Sequence, residues 1–168
     1  MNANYPLRPY LPADAMALRE LFAQSIEELT QEDYDEDQRL AWISRAEDAA
    51  AFARRLAAAT TLVIQVEGEY LGFASLKDNK VLDMLYVHPH HAGEGVGSAL
   101  CEALEKIAAA RGAQSITADS SETAVLFFEG RGYVPVRRSS VPVDDMWLTN
   151  TAMTKPLKPQ GTPPAKPH

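Results

Sequence analysis

The feature that most restricts how this chain can fold is a strand-to-helix junction at its centre, Tyr86-Val87-His88-Pro89-His90-His91-Ala92-Gly93-Glu94-Gly95-Val96-Gly97-Ser98-Ala99-Leu100. Before it, Val81 to Val87 is apolar apart from Asp83, the pattern of a central strand covered on both faces. After it, Leu100, Leu104, Ile107 and Ala108 recur at helical spacing, and Gly112 stands in the C-cap position. The chain must therefore turn from a buried strand into an amphipathic helix through alternating glycines. Gly93, Gly95 and Gly97 remove side chains where a ligand could approach the backbone. Open N–H groups at a helix start, together with the helix dipole, favour an anion, so a phosphate or pyrophosphate is the expected ligand group. Neither common nucleotide fingerprint fits. The P-loop lysine is missing, because Ser98 follows Gly97 directly, and a G-x-G-x-x-G frame fails at Ser98 or at Leu100. A ligand-free glycine turn is the plainer alternative, but alternating glycines carry an entropic cost that a mere turn does not require.

The flanking sequence supplies the other elements. Leu7–Tyr10 reads as a short strand, and Pro12-Ala13-Asp14 opens a helix on whose face Met16, Leu18, Leu21, Phe22, Ile26 and Leu29 recur. Further helices are expected over about 37–45 and 46–58, hairpin strands over 60–66, 70–76 and 81–87, and a strand over 114–118. A helix over 122–130, capped by Ser120-Ser121, and closing strands over 133–136 and 146–153 follow. This order predicts an α+β domain around a mixed sheet. A chain of 168 residues with one cysteine, Cys101, is one domain without an internal disulfide. The expected division is a folded domain over 1–155 and a Pro-rich flexible tail over 156–168. A formal charge of −7 argues against nucleic acid, no apolar run is long enough to span a membrane, and the first residues lack the order of a secretory signal, so a cytoplasmic setting is expected. Glu27, Glu28, Glu32, Asp33, Asp35, Glu36 and Asp37 crowd one stretch, either as a solvated helix end or as a negative rim for a cationic substrate.

At the junction the sequence resembles the GNAT acyltransferase superfamily, whose V-x-P-x-x-[QR]-x-x-G-x-[GA] is met by Val87, Pro89, Gly95 and Gly97. The resemblance extends over about 5–155 and includes a second block, usually N-x-x-A-x-x-F-Y-x-x-x-G-[FY], matched here by Ala124, Phe127, Gly132 and Tyr133. It resembles most a bacterial branch in which a Trp/Phe-x-T-N strand follows, as in Trp147-Leu148-Thr149-Asn150. The resemblance implies a mostly antiparallel central sheet flanked by helices, acetyl-CoA as cosubstrate and N-acetyl transfer to a primary amine by direct attack within a ternary complex. It implies that Leu85, Tyr86 and Val87 pair with the pantetheine arm, and that Gly93, Glu94, Gly95, Val96, Gly97 and Ser98 hold the pyrophosphate, with Ser121 and Phe128 beside the coenzyme. It leaves a homodimer open. Three departures stand out: Ala92 replaces Gln or Arg, Glu94 occupies an often basic position and is expected to point into solvent, and Phe128 replaces the tyrosine that often protonates the leaving thiolate. The last motivates a rival reading, a non-catalytic acyl-CoA-binding or sensing domain.

Acyl transfer to an amine needs a neutral nitrogen, a donor for the developing oxyanion and a way for the thiolate to leave. Asp83, on the face of Leu85 and Val87 by a period of two, is a candidate base if burial raises its pKa; a structural carboxylate is the alternative. Asp119 is a second candidate base, or a cap residue. The acid is Tyr133, Ser121 or water. Tyr34 and Trp42 either wall the acceptor pocket or pack the core. His88, His90 and His91 read as loop histidines near phosphate rather than metal ligands, since the only other histidine is His168. No metal is expected. Cys101 reads as a packed thiol. The acidic stretch favours a cationic acceptor such as a polyamine, an aminoglycoside-like compound or a peptide N-terminus.

Overall fold

The structure is a computed structural model, which describes residues 4–158. Seven strands form one sheet in the order β1-β2-β3-β4-β5-β7-β6: β1 (Leu7–Pro9), β2 (Thr60–Val66), β3 (Glu69–Lys77), β4 (Val81–Val87), β5 (Ser115–Ser121), β6 (Val134–Val143) and β7 (Met146–Pro156). Only β4 and β5 run parallel; every other pair is antiparallel. The predicted α+β class, mostly antiparallel, is therefore what the chain adopts. Helices α1 (Ala15–Leu29), α2 (Glu36–Ile43), α3 (Ala49–Ala58), α4 (Val96–Ala110) and α5 (Val125–Gly130) complete it.

The sheet separates two cores. On one face α4 lays Leu100, Leu104 and Ala108 against Ile64, Leu76, Leu82 and Ile116. On the other, Leu18, Phe22 and Ile26 of α1 and Phe52 and Leu56 of α3 pack on Val63, Phe73 and Met84. The helical region before β2 breaks where the caps dictate. Asp35 and Gln38 bond each other's backbone N–H in a capping box that starts α2, and the Asp48 carboxylate accepts from the Ala51 N–H to start α3.

Three boundaries differ from expectation. β5 runs on to Ser121 rather than ending at Ala118. β6 extends to Val143, because it is an edge strand and its run Arg137-Arg138-Ser139-Ser140 carries no buried face to advertise it. Pro156, expected to begin the tail, belongs to β7 with Lys155 before it: Lys155 Nζ lies 2.8 Å from a Glu105 carboxylate oxygen, and the Leu157 N–H donates to the Gln114 carbonyl at 2.8 Å. Residues 159–168, the rest of the expected tail, lie outside the described residues.

A split sheet and two joined cavities

The parallel pairing of β4 with β5 holds only at Val81↔Thr117 and Leu82↔Ala118, after which the strands part. The divergence begins at a bulge. Ser75 faces Met84 and the next residue, Leu76, faces Leu82, so Asp83 is an extra residue with no partner on β3. The bulge also resets the alternation, so that Leu82 and Leu85 both join the α4 core, while Met84 and Tyr86 join the α1–α3 core. Asp83 therefore does not share the face of Leu85 and Val87, as a strict period of two predicts. Its carboxylate points to α3, where Arg55 Nε donates to Oδ2 at 2.8 Å. It is one half of an ion pair rather than a solitary buried acid.

The gap between the splayed strands opens a cleft of about 680 Å³. Leu85, Tyr86 and Val87 line one wall, Ala118, Asp119 and Ser121 the other, and Gly93, Gly95, Val96, Gly97 and Ser98 close one end. At that end the first helical turn of α4 is presented by Gly95, whose φ of 88° is a left-handed conformation that a side chain resists. Among the described residues, no backbone or side-chain acceptor meets the N–H groups of residues 93–98. An open row of amides at the positive end of a fifteen-residue helix fits a diphosphate by chemistry as well as by position. Val96 itself is buried in the α4 core, so only its main chain is offered. Gly97 has a further reason to be glycine: a Cβ there would already touch the Phe127 ring at 3.4 Å.

Glu94 turns away from this row. Its carboxylate meets His91 Nδ1 at 3.1 Å while His91 Nε2 meets Glu69 at 2.5 Å, and Tyr5 Oη donates to the Glu94 carbonyl at 2.7 Å. Glu69 and then Glu94 raise the pKa of His91 by hydrogen bonding to its charged form. Phe128 lines the cleft as a buried hydrocarbon, with Phe127, an unpredicted contributor, beside it.

A smaller cavity of about 190 Å³ adjoins the cleft. Trp42, Asp83, Tyr86, Asp119 and Ser121 line both, so the two spaces meet at these side chains. The remaining wall includes Phe22, Tyr34, Arg45, Arg55, Leu148, Thr149 and Asn150. Tyr34 and Trp42 thus stand at this pocket as well as in the packing. Tyr34 donates to the Thr149 carbonyl at 2.8 Å and accepts from the Glu122 N–H at 2.9 Å, tying the α1–α2 segment to β7. Trp42 Nε1 donates to the Tyr86 hydroxyl at 3.3 Å. Burial raises the Tyr86 pKa, opposed by that hydrogen bond and by the charges of Arg55 and Arg45. Arg45 and Arg55 were not singled out in the sequence, and Asn150 only as part of the Trp147–Asn150 match; nothing in a single chain links three polar residues on a turn, α3 and β7.

One expected participant lies elsewhere, and another is engaged as a cap. Tyr133 is buried in the α4 core, donates to Glu105 Oε2 at 2.9 Å and has its pKa driven up by burial, so it faces α4 instead of the cleft. Ser121 lines the cleft, yet its hydroxyl accepts from the Ala124 N–H at 3.3 Å as a cap. Cys101 is fully buried, and burial pushes its thiol up to about 12. Among the described residues no three His, Cys, Asp or Glu side chains gather as a metal site, and no helix is long and apolar enough to cross a membrane. The crowded carboxylates do not reach either cavity; Asp35 caps α2, Asp33 accepts from Thr123 and Glu27 pairs with Arg39.

Residues 30–157 match the acetyltransferase (GNAT) domain family. The chain belongs to that family and is an acetyl-CoA-dependent acetyltransferase. It is 31% identical over 157 residues to the uncharacterized N-acetyltransferase YafP of Escherichia coli K12, covering 94% of this chain and 98% of that protein. A GCN5-related N-acetyltransferase structure from Rhodopseudomonas palustris, described in the same words as an aminotransferase of class II, shares 49% identity and superposes with a TM-score of 0.91 over 94% of this chain and 98% of its own. The PaiA N-acetyltransferase of Thermoplasma acidophilum, solved with coenzyme A, shares the fold at 18% identity and a TM-score of 0.73, covering 92% and 99% of the two chains.

Proposed function

We propose that the protein moves an acetyl group from acetyl-CoA to a primary amine by direct attack, with both substrates bound together. The observation that carries this reading is the meeting of two cavities at one set of side chains. The amide row of residues 93–98 would hold the diphosphate, and the main chain of Leu85 to Val87, freed where β5 departs, would pair with the amide-bearing arm. Bound there, acetyl-CoA supplies an activated acyl carbon with a thiol as leaving group.

The chain's part is to place the amine and handle its protons. An amine arriving as ammonium must first lose a proton. Of the two carboxylates at the junction, that of Asp83 is engaged by Arg55, whereas that of Asp119, an exposed residue, makes no hydrogen bond or ion pair with a described residue. We assign Asp119 as the group that draws the ammonium in and passes its proton to water. The nitrogen then bonds to the acetyl carbon, the carbon–sulfur bond breaks, and the second amine proton leaves with the thiol. With Phe128 lacking a hydroxyl and Tyr133 turned to Glu105, Tyr86 is the phenol at the junction; its raised pKa keeps it protonated. A thiol pKa of about 8.5 makes the thiolate a tolerable leaving group even when protonated by solvent. The burial of Cys101 supports a route without an acyl-enzyme.

The test is thiol release from acetyl-CoA with a panel of primary amines, paired with calorimetric titration of coenzyme A. Binding together with amine-dependent release supports the reading. Binding without release from any amine would favour a domain that only binds acyl-CoA, and absence of binding would remove the cradle itself.

A further inference from the structure

The smaller cavity carries a charge arrangement that bears on what enters it. The side chains it shares with the cleft include Asp119, while Arg45, Arg55 and Asn150 line only the smaller space. The two arginines are not equivalent. Arg55 is neutralised by Asp83 at 2.8 Å. Arg45 lies in the short turn between α2 and α3, is exposed, and its guanidinium makes no hydrogen bond or ion pair with any described residue. Both act on the Tyr86 hydroxyl, which places their charges within the same small space. The pocket therefore carries both signs: a free carboxylate in the wall it shares with the cleft, and an uncompensated cation in the wall it does not share.

An acceptor whose nitrogen reaches the junction and whose remainder fills the smaller cavity has Arg45 in its wall. A second ammonium there meets a like charge, which disfavours polyamines. An anion meets a guanidinium that has no competing partner and can bind a carboxylate through two parallel N–H donors. We propose that the acceptor is a small amino-acid-like zwitterion, its carboxylate bound by Arg45 and its amine held at the Asp119 end of the pocket. The inference rests on the acetyl-transfer reading and narrows it, and it runs against the cationic acceptor that the acidic stretch suggested.

The experiment compares the common amino acids with their own carboxamides, and with spermidine, as acceptors in the thiol-release assay. The carboxylate forms are expected to show at least about tenfold higher kcat/KM than the amides, a margin of about 1.4 kcal/mol. The amide's amine is the less basic, so a preference for the acid cannot come from easier deprotonation. Arg45→Gln is expected to raise KM for the acids and bring the acid-to-amide ratio toward one, with the affinity for coenzyme A unchanged. Arg45→Glu is expected to move the preference toward spermidine. Arg45 is exposed and unbonded, so folding is not at stake. Better turnover of spermidine or of the amides by the unaltered protein would overturn the proposal while leaving acetyl transfer intact, as would an acid-to-amide ratio untouched by Arg45→Gln. Coenzyme binding with no turnover of any amine would overturn both readings together.

Discussion

The two cavities of this protein are built from different materials. The side proposed for the coenzyme offers main chain: the amides of residues 93–98 and the strand edge uncovered where β4 leaves β5. The side proposed for the acceptor is made of side chains drawn from α1, α2, α3, β4, β5, β6 and β7 and from the segments between the helices. Main chain offers the same donors whatever residues carry it, so it suits a ligand that does not change. Side chains can be exchanged one at a time, so they suit a ligand that differs between relatives. Substitutions on the two sides are therefore expected to fail differently, in kcat and acceptor KM on one side and in stability and coenzyme affinity on the other.

The largest separation is expected at Asp119. Asp119→Asn keeps shape but removes the proton acceptor, and should lower kcat about 100-fold with KM for acetyl-CoA unchanged. Asp83→Asn is the control. It strips Arg55 of its counter-ion and should act mainly through stability, by about 1 kcal/mol for this partly exposed pair. Steady-state kinetics and thermal melts on both variants decide the matter; a hundredfold loss at Asp83 with Asp119→Asn near wild type would reverse the assignment.

A smaller effect of the opposite kind is expected at Gly72 of β3. A Cβ there would lie 2.7 Å from Val96 Cγ1 and 3.0 Å from the Tyr86 carbonyl, and neither neighbour is a flexible end. Gly72→Ala should cost about 1–3 kcal/mol by overpacking. Because Val96 is the first residue of α4, the shift falls on the cradle, so coenzyme affinity measured by calorimetry should weaken while the acid-to-amide preference for acceptors stays. An unchanged melting temperature would show that β3 and the cradle are not packed as tightly as this contact implies.

The same division explains what could be seen in the sequence. The junction is continuous in the chain, and its glycines, strand pattern and helix stripe carry their meaning locally, so the cradle and its companion block around Phe127 were legible. Asp83 was visible as a charge in an apolar strand, but its direction was not, because a bulge is a property of two strands and one strand's alternation cannot reveal it. Arg45 carries no local signal at all, and the motif that contains Asn150 says nothing of the pocket it lines. Tyr133 was misplaced for a related reason: its block matched, but its partner Glu105 lies a long way back in the chain, on α4, and only packing brings the two together. The acidic stretch left a solvated helix end and a negative rim both open, because charge was counted along the sequence; α2's capping box and the contacts of Asp33 and Glu27 turn those carboxylates to local work.

The smallest predicted effect tests whether the coenzyme side depends on any side chain. Backbone amides do not titrate, so a cradle made only of them should bind coenzyme A with no pH dependence of its own. His91 is the exception, since it lines the cleft and bridges Glu69 and Glu94. Its pKa is raised in the folded protein, mainly by those two carboxylates. The stabilisation it provides is therefore complete below the ordinary histidine pKa of about 6.5 and is lost as pH rises through the higher folded value. Losing that proton also leaves two carboxylates uncompensated near the site of a diphosphate. Coenzyme affinity should fall by about two- to threefold across that rise, a size set by exposure and salt screening. The coenzyme's own phosphate titrates near the lower end of this range, at about pH 6, so the variant His91→Gln is the necessary reference. The phosphate's contribution persists in it and the histidine's does not. Calorimetry on both proteins between pH 6 and 9 should give converging affinities at the alkaline end and tighter binding by the unaltered protein at the acid end. Parallel curves would mean that the cradle is main chain alone.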